Sequence, residues 1–351
     1  MPPTQRPYVT AAAFEAAFGT VPVSTARALA AGFSREQLRA ACARGLLVSH
    51  RRGVVSVPSG PAPGGTIPTG VQQAGPPGGA PVWRTEHVAL VRAALTAVGD
   101  GAFASHHSGA AVQALPTPSA RPPSVVTLVR PGIQDFRGPG LLVRGSDIPP
   151  HFVTTIDGIP VTDVRRTAVD LARGHRLPAA LVPLDAAARR LVATATGTSG
   201  HALREAVHDP AARAVALREI AYAVASCRGW PGVVTARRAA ALADPASESP
   251  LESRSRGWFV EAGIELEIGV RISVDGSTYW ADFCDRARRV IGEADGWGKY
   301  GLRADDVLAA LKAERTRQDR LVAAGWTVVR WNSDDSRAQV VTRMSAALRR
   351  D

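Results

Sequence analysis

The sequence predicts a mixed α/β fold built from several separate segments, and three observations predict it. At 351 residues the chain is longer than one hydrophobic core usually serves, so two or three domains are expected. Residues 58–82, PSGPAPGGTIPTGVQQAGPPGGAPV, carry no charge and consist mostly of Pro, Gly and small residues. That composition buries too little surface to offset the entropy of ordering, so the stretch reads as a disordered linker. On either side of it, windows with the helical period of 3.6 alternate with windows of period 2. The expected organisation is a module over 1–57, the linker 58–82, an α/β region over 83–245 and a last α/β region over 246–351.

In the first module FEAAF and STARALAAG read as short helices, with Ser24 as an N-cap and Gly32 as a stop. FSREQLRAACARG follows as a second capped helix, with Ser34 at its start and Gly45 at its end. LLVSHRRGVVSV alternates and turns at Arg52-Gly53, as a hairpin does. Helices followed by a hairpin outline a winged helix. Arg35, Arg39 and Arg44 recur along the second helix, and His50, Arg51 and Arg52 cluster in the hairpin. A helix in a major groove with a wing on the backbone needs cations at those places. A small helical domain with a solvated basic face is the alternative.

Across 83–245 helical patterns (WRTEHVALVRAALTAVG, VRRTAVDLARG, ALVPLDAAARRLVATA) alternate with extended ones (PPSVVTLVRPG, GLLVRGSDI). His106 and His107 follow Ser105 at an expected helix start, and packing and capping there explain them better than metal binding. Asp170 and Asp185 read as helix-surface residues.

The last region has the clearest order, α-β-β-β-α-β-α. SPLESRSRGWFVEAG is a helix with Glu252 in its first turn. ELEIGVRISV and STYWADF are strands around a turn at Asp275-Gly276, and RRVIGEAD is a third. LRADDVLAALKAERTRQDRLVAAG is a long helix, WTVVRW a fourth strand and DDSRAQVVTRMSAALRR a final helix. Glu293 and Asp295, two apart, share one strand face, and Asp282 ends the partner strand. Carboxylates that converge repel one another unless a cation sits among them. Hard oxygen donors with open positions suit Mg²⁺ or Mn²⁺, which activate water and bind substrate phosphates. The other reading is the solvated side of a surface hairpin. Against it, both strands end in apolar sequence, where unpaired carboxylates are costly.

The net charge of +11 favours a polyanionic partner, nucleic acid before membrane surface. Of 42 basic residues only Lys299 and Lys312 are lysines, and both follow the acidic cluster. Three widely spaced cysteines carry no metal-type spacing and fit a reducing cytoplasm. The chain shows no signal peptide, spanning segment or basic amphipathic helix for a membrane surface. It also shows no GxxxxGK[ST], HExxH or paired CxxC motif.

SPLES, ADF, GEADG and AGWTVVRW, in that order, resemble the restriction-endonuclease-like PD-(D/E)XK superfamily. The closer likeness is to its very-short-patch-repair-like branch, the domain of unknown function 559. The resemblance implies Asp282 and Glu293 as metal ligands, with Glu252 from the helix as a supporting acid; in an active nuclease Asp295 is expected to join Glu252 in supporting that ion or a second one. The superfamily's usual lysine, two residues after the second acid, is Asp295 here, as is usual in that branch. Lys299 stands where the branch commonly has histidine, so Lys299 or Lys312 becomes the expected ammonium at the water. Loss of the usual residues equally permits an inactive nuclease fold kept for binding. PVSTARALAAGFSREQLRAACARGLLVSHRRGVVSV is similar to the winged-helix domain of type IV toxin–antitoxin (abortive infection) antitoxins. FASHHSGAAVQALP and GIPVTDVRRTAVDLAR look like the middle region of long proteins of that kind. These resemblances imply DNA as a partner, and they admit a cognate toxin and a homodimer.

Overall fold

The computed structural model describes residues 10–51, 53–58, 82–119, 124–295 and 315–349. The architecture is mixed α/β, with three sheets among the described residues. The chain divides into two compact units, 1–114 with 121–163, and 115–120 with 164–351. The division therefore falls inside the stretch 83–245. The expected linker lies outside the described residues except at its ends, and its last residue, Val82, already begins a helix.

The first unit opens with α1 (Ala11–Phe18), β1 (Val23–Ser24), α2 (Thr25–Ala30) and α3 (Arg35–Ala43), then β2 (Val48–Arg51) and β3 (Val54–Ser56). Ser24 caps α2 by accepting from Arg27 N, and Ser34 and Gln37 form a reciprocal capping box on α3. Gly45, at φ +71°, lets the chain turn off that helix. Phe14, Ala28, Leu38, Leu47 and Val55 fill a core between the helices and the sheet β1-β3-β2. Strand β1, two residues long, is too short to show a period.

After the linker α4 (Val82–Val98) touches this sheet, Thr96 Oγ1 donating to Pro22 O at 3.4 Å. Then come β4 (Phe103–Ala104), α5 (His106–Gln113), β5 (Val126–Val129), β6 (Phe136–Gly138), β7 (Leu141–Arg144), β8 (Val153–Ile156) and β9 (Ile159–Thr162). They form a six-stranded sheet in the order β6-β7-β5-β4-β9-β8. Ser105 precedes α5 but its hydroxyl makes no cap; it is bonded to His106 Nδ1 at 3.0 Å.

The second unit begins with helices α6 (Val164–Ala172), α7 (Leu177–Thr196), α8 (Gly200–Ala206), α9 (Pro210–Ala225) and α10 (Val233–Ala241). Asp170 and Asp185 are buried here, which corrects the helix-surface expectation. Asp170 pairs with Arg166 at 3.0 Å and Asp185 with Arg256 at 2.6 Å, and a paired, bonded charge tolerates burial.

Next come α11 (Pro250–Glu261), β10 (Glu267–Val274), β11 (Ser277–Asp285), β12 (Val290–Asp295), the described part of α12 over 315–323, β13 (Thr327–Asn332) and α13 (Arg337–Leu348). The sheet order is β10-β11-β12-β13, antiparallel until β12 and β13, which run parallel. Phe259, Phe283, Val290, Trp331 and Met344 pack α11 and α13 on one face. Ile272, Cys284, Ile291 and Leu321 pack α12 on the other. Among the described residues no helix is long and apolar enough to cross a membrane.

Helix α11 lies close against α7. A Cβ on Gly257 would come within 2.4 Å of Pro178 Cα, a backbone atom that cannot swing aside. Gly257→Ala should therefore lower unfolding stability by about 1–3 kcal/mol, read from urea denaturation. An unchanged midpoint would contradict this packing.

Candidate active site

The site forms where β11 parts from both neighbours. Its register with β12 runs Asp285↔Val290, Cys284↔Ile291, Phe283↔Gly292 and stops. Its register with β10 runs to Ile268↔Phe283 and resumes at Val270↔Ala281, so Gly269 and Asp282 are the opposed pair left out. Gly269 has φ +62°, a backbone state that glycine reaches without strain. Its carbonyl, turned out of the ladder, accepts from His208 Nε2 at 2.8 Å. Across the gap Asp282 Oδ2 accepts from Ala294 N at 2.8 Å. The carboxylate so satisfies a donor that a strand carbonyl would otherwise take.

Glu293 and Asp295 follow Ile291 by alternation and face α12. Glu293 is buried, and Arg317 of α12 reaches its Oε1 at 3.2 Å. Asp295 is part-exposed, 3.9 Å from Arg330 on β13. Glu252 comes from the start of α11. Ser249 caps that helix by accepting from Glu252 N at 3.2 Å, and Pro250 holds its first position. The Glu252 side chain turns back, its Oε2 accepting from Glu248 N at 2.7 Å. This is a capping box displaced by one residue, and it fixes the carboxyl at the mouth of the helix.

The effects of the cluster meet at Asp282. Burial pushes Asp282 well above the usual carboxylate range, and the charges of Glu252, Glu293 and Asp295 push it further; the Ala294 bond opposes them. Burial raises Glu252 to about 7 against the pull of its hydrogen bonds. Burial also raises Glu293, with Arg317 drawing it back toward the charged form. The second unit thus gathers Glu252, Asp282, Glu293 and Asp295 in one electrostatic neighbourhood.

Among the described residues no group of three or more His, Cys, Asp or Glu side chains is arranged to hold a metal ion. Mg²⁺, however, is commonly bound by one or two carboxylates, with waters and substrate phosphates completing its shell. Two buried oxygen donors whose anionic forms are destabilised by their surroundings fit that requirement. Lys299 and Lys312 lie outside the described residues. Arg317 and the Arg204–Glu248–Arg189 cluster beside Glu252 had no signal in the sequence beyond the abundance of arginine. Arg204 grips both oxygens of Glu248 at 2.9 Å, and Arg189 reaches Oε1 at 2.9 Å.

In the first unit Arg35 and Arg39 are exposed on α3. Arg44 is the C-cap, its Nε donating to Ala40 O at 3.3 Å. His50 lies in β2, hydrogen-bonded to Ser56 Oγ at 2.7 Å, and burial lowers its pKa. That places a neutral imidazole, not a cation, at position 50 near neutral pH. Arg51 ends β2, and Arg52 lies outside the described residues.

No protein-family model matches the chain. Uncharacterized proteins of two Mycobacterium tuberculosis strains, CDC 1551 / Oshkosh and ATCC 25618 / H37Rv, are each 31% identical to it over 175 residues. The match covers 49% of this chain and 55% of each relative, so the chain spans about half the length of the curated relatives it matches.

The raised carboxyls have a consequence for stability. A carboxyl whose folded pKa exceeds its unfolded value favours the fold while protonated and stops doing so as pH rises through the folded value. For Glu252 that window runs from its ordinary 4.5 to about 7. Asp185, Asp282 and Glu293 shift in the same direction. These carboxyls therefore remove stability from the metal-free protein as pH rises from about 4.5 to about 7, against the opposite contribution of His50, His87 and His175, whose pKa values burial lowers. Glu252→Gln should flatten that fall by at most about 3 kcal/mol. Melting curves across pH check this, and equal slopes in both proteins would contradict it.

Proposed function

We propose that the chain is a Mg²⁺- or Mn²⁺-dependent DNA endonuclease directed to its substrate by an N-terminal winged helix. The observation that carries the proposal is Asp282, held at a break in the sheet by Ala294 N–H with the buried acids Glu252 and Glu293 close enough for their charges to raise its pKa. The order α11-β10-β11-β12-α12-β13-α13 and the sheet order support the likeness to the PD-(D/E)XK core. The helices and hairpin of residues 10–57 support the winged-helix reading.

In this reading Asp282 and Glu293 would hold the ion, with Glu252 and Asp295 beside them. Bound there, the ion supplies an activated water at neutral pH and neutralises charge building on the phosphate. The chain's own groups set the stage for it. Asp282 is pinned by Ala294 N–H, so its free oxygen has a fixed place. Arg317 favours the charged form of Glu293, the form that ligates. Glu252, titrating near 7, can take up or release a proton close to the working pH. The ammonium of Lys299 or Lys312 remains the proposed partner of the water or the charged phosphate. DNA would be read by Arg35, Arg39, Arg44, Arg51 and Arg52, with His50 as a neutral hydrogen-bonding group. Joining the winged helix and the nuclease region in one chain raises the effective concentration of the nuclease near a bound site.

A second reading is an antitoxin-like transcriptional regulator, with or without a cognate toxin, whose nuclease fold is inactive. Arg317 on Glu293 and the acid Asp295 at the usual lysine position favour it. The two readings part in a plasmid-nicking assay with Mn²⁺. The nuclease reading expects nicking that falls roughly 10²–10³-fold in Asp282→Asn, with DNA affinity unchanged. No nicking by the wild type would favour the regulator.

The module makes its own prediction. Replacing Arg35 and Arg39 together by Ala should weaken duplex binding for all sequences. It should also reduce the slope of log affinity against log salt by roughly two, without shifting the melting temperature. An unchanged slope would remove α3 from the DNA interface.

A further inference from the structure

Helix α9 is apolar nearly all the way round, and a helix of that kind is ordinarily covered on both sides. Its inner side, Ala216, Ile220 and Ala223, is buried in the second unit. Its outer side, Ala214, Leu217, Ala221 and Ala225, recurs at the helical spacing of three and four residues and lines a groove. Ala240 and Ala241 of α10 form the facing wall, and the groove encloses about 920 Å³. One turn before Arg237 on α10, Val234 stands 74% exposed. A continuous apolar surface of this kind marks an interaction site. Charge narrows the occupant. Arg218, Arg228 and Arg237 also line the groove, and among the described residues no acidic side chain does. All three are exposed, and none has an ion-pair partner among the described residues. The acids nearest them in sequence are already engaged, Glu219 by Arg165 and Asp244 by Arg213. A second copy of the chain would set these arginines against themselves, which like-charge repulsion disfavours. Segments 59–81 and 296–314 do not supply the missing charge either, since the first carries none and the second has three basic against three acidic residues. A nucleic-acid backbone would meet the arginines but leave phosphates against alanine and leucine, where charge is costly to bury.

We infer that the α9–α10 groove receives an acidic, amphipathic helix of another protein, its apolar edge on the groove floor and its carboxylates toward Arg218, Arg228 and Arg237. Helices dock in grooves of this kind through apolar side chains at i, i+3 or i+4 and i+7. The stretch from Ala214 to Ala225 is about 16 Å long, so three helical turns fill it. Its small wall residues let the incoming helix approach closely. The groove is built from elements that contribute nothing to the acidic site, and the inference does not rest on the nuclease reading.

Fluorescence anisotropy of a labelled peptide tests this with the full-length protein at physiological ionic strength, where diffuse attraction to a basic chain is screened. The probe is a helical peptide of about 14 residues, with leucines along one edge and glutamates elsewhere. A control of the same composition spreads the leucines round the helix. The probe should bind saturably and the control about tenfold more weakly. Arg218→Ala combined with Arg237→Ala should bind the probe about fivefold more weakly. Ala221→Trp, which fills the groove from an exposed position, should reduce the probe to the affinity of the control. Neither variant should lower the melting temperature, since the arginines are unpaired and Ala221 faces outward. Equal affinity for the two peptides, no binding, or wild-type affinity in either variant overturns the inference. So does displacement of the probe by duplex DNA, which identifies a nucleic-acid surface. A dimer in sedimentation that Ala221→Trp dissociates also overturns it and identifies an interface between copies.

Discussion

The hydrogen bond from Ala294 N–H to the Asp282 carboxylate is the constraint around which the second unit's sheet is arranged. A strand in the middle of a sheet normally meets backbone on both sides. Here β12 keeps β13 through all six of its registered pairs but loses β11 after Gly292. The donor exposed by that departure must be satisfied, and a side chain does it. The consequence is a carboxylate held in the gap between two strands, beside Glu293 and within the field of Glu252. Burial and mutual repulsion together favour the protonated acids. Hydrogen bonds and positive charge oppose that balance, Ala294 N–H at Asp282, Arg189 at Glu252 and Arg317 at Glu293.

Holding Glu252 in place is the work of the helical layer. Helix α11 is fixed at three levels. Its glycine face admits Pro178 of α7. The buried pair of Arg256 with Asp185 is itself tied to Asp244 N at 2.9 Å. On the sheet side Trp331 Nε1 donates to Ser255 Oγ at 2.8 Å. Rings of Phe259, Phe283 and Trp331 meet with centroids 5.2–5.6 Å apart, joining α11 to β11 and β13. A carboxyl at the start of such a helix has little freedom to retreat to solvent, and burial raises its proton affinity.

Much of this was legible in the sequence where one rule decides the outcome. Ser24, Ser34 and Ser249 marked helix starts because a cap depends on residue type and position alone. Asp275-Gly276 marked a hairpin because both positions take positive φ, +47° and +74°. The element order of the last region followed from periodicity, and alternation set Asp282 and Glu293 on neighbouring strands, whereas Glu252 was marked only by the family resemblance. What could not be read depends on long-range contact. Strands β1 and β4, two residues each, exist only through their partners. Asp170 and Asp185 looked like surface acids because their burial is permitted by Arg166 and by Arg256, the latter 71 residues from Asp185 in sequence. Gly269 and Gly257 gave no hint of their roles, since one answers a break in a neighbouring strand and the other a helix 79 residues away (257 − 178). Arg317 was one arginine among 40 (42 less 2 lysines).

The central claim is that the acids at the break in the sheet form a cation site. Calorimetric titration of the metal-free protein with Mn²⁺ at neutral pH tests it most directly, with Glu293→Gln as the comparison. The account predicts saturable binding by the wild type that is lost in the variant while the fold persists. Saturable binding that survives in Glu293→Gln, or none in the wild type, would contradict it and leave the carboxylates as part of the scaffold.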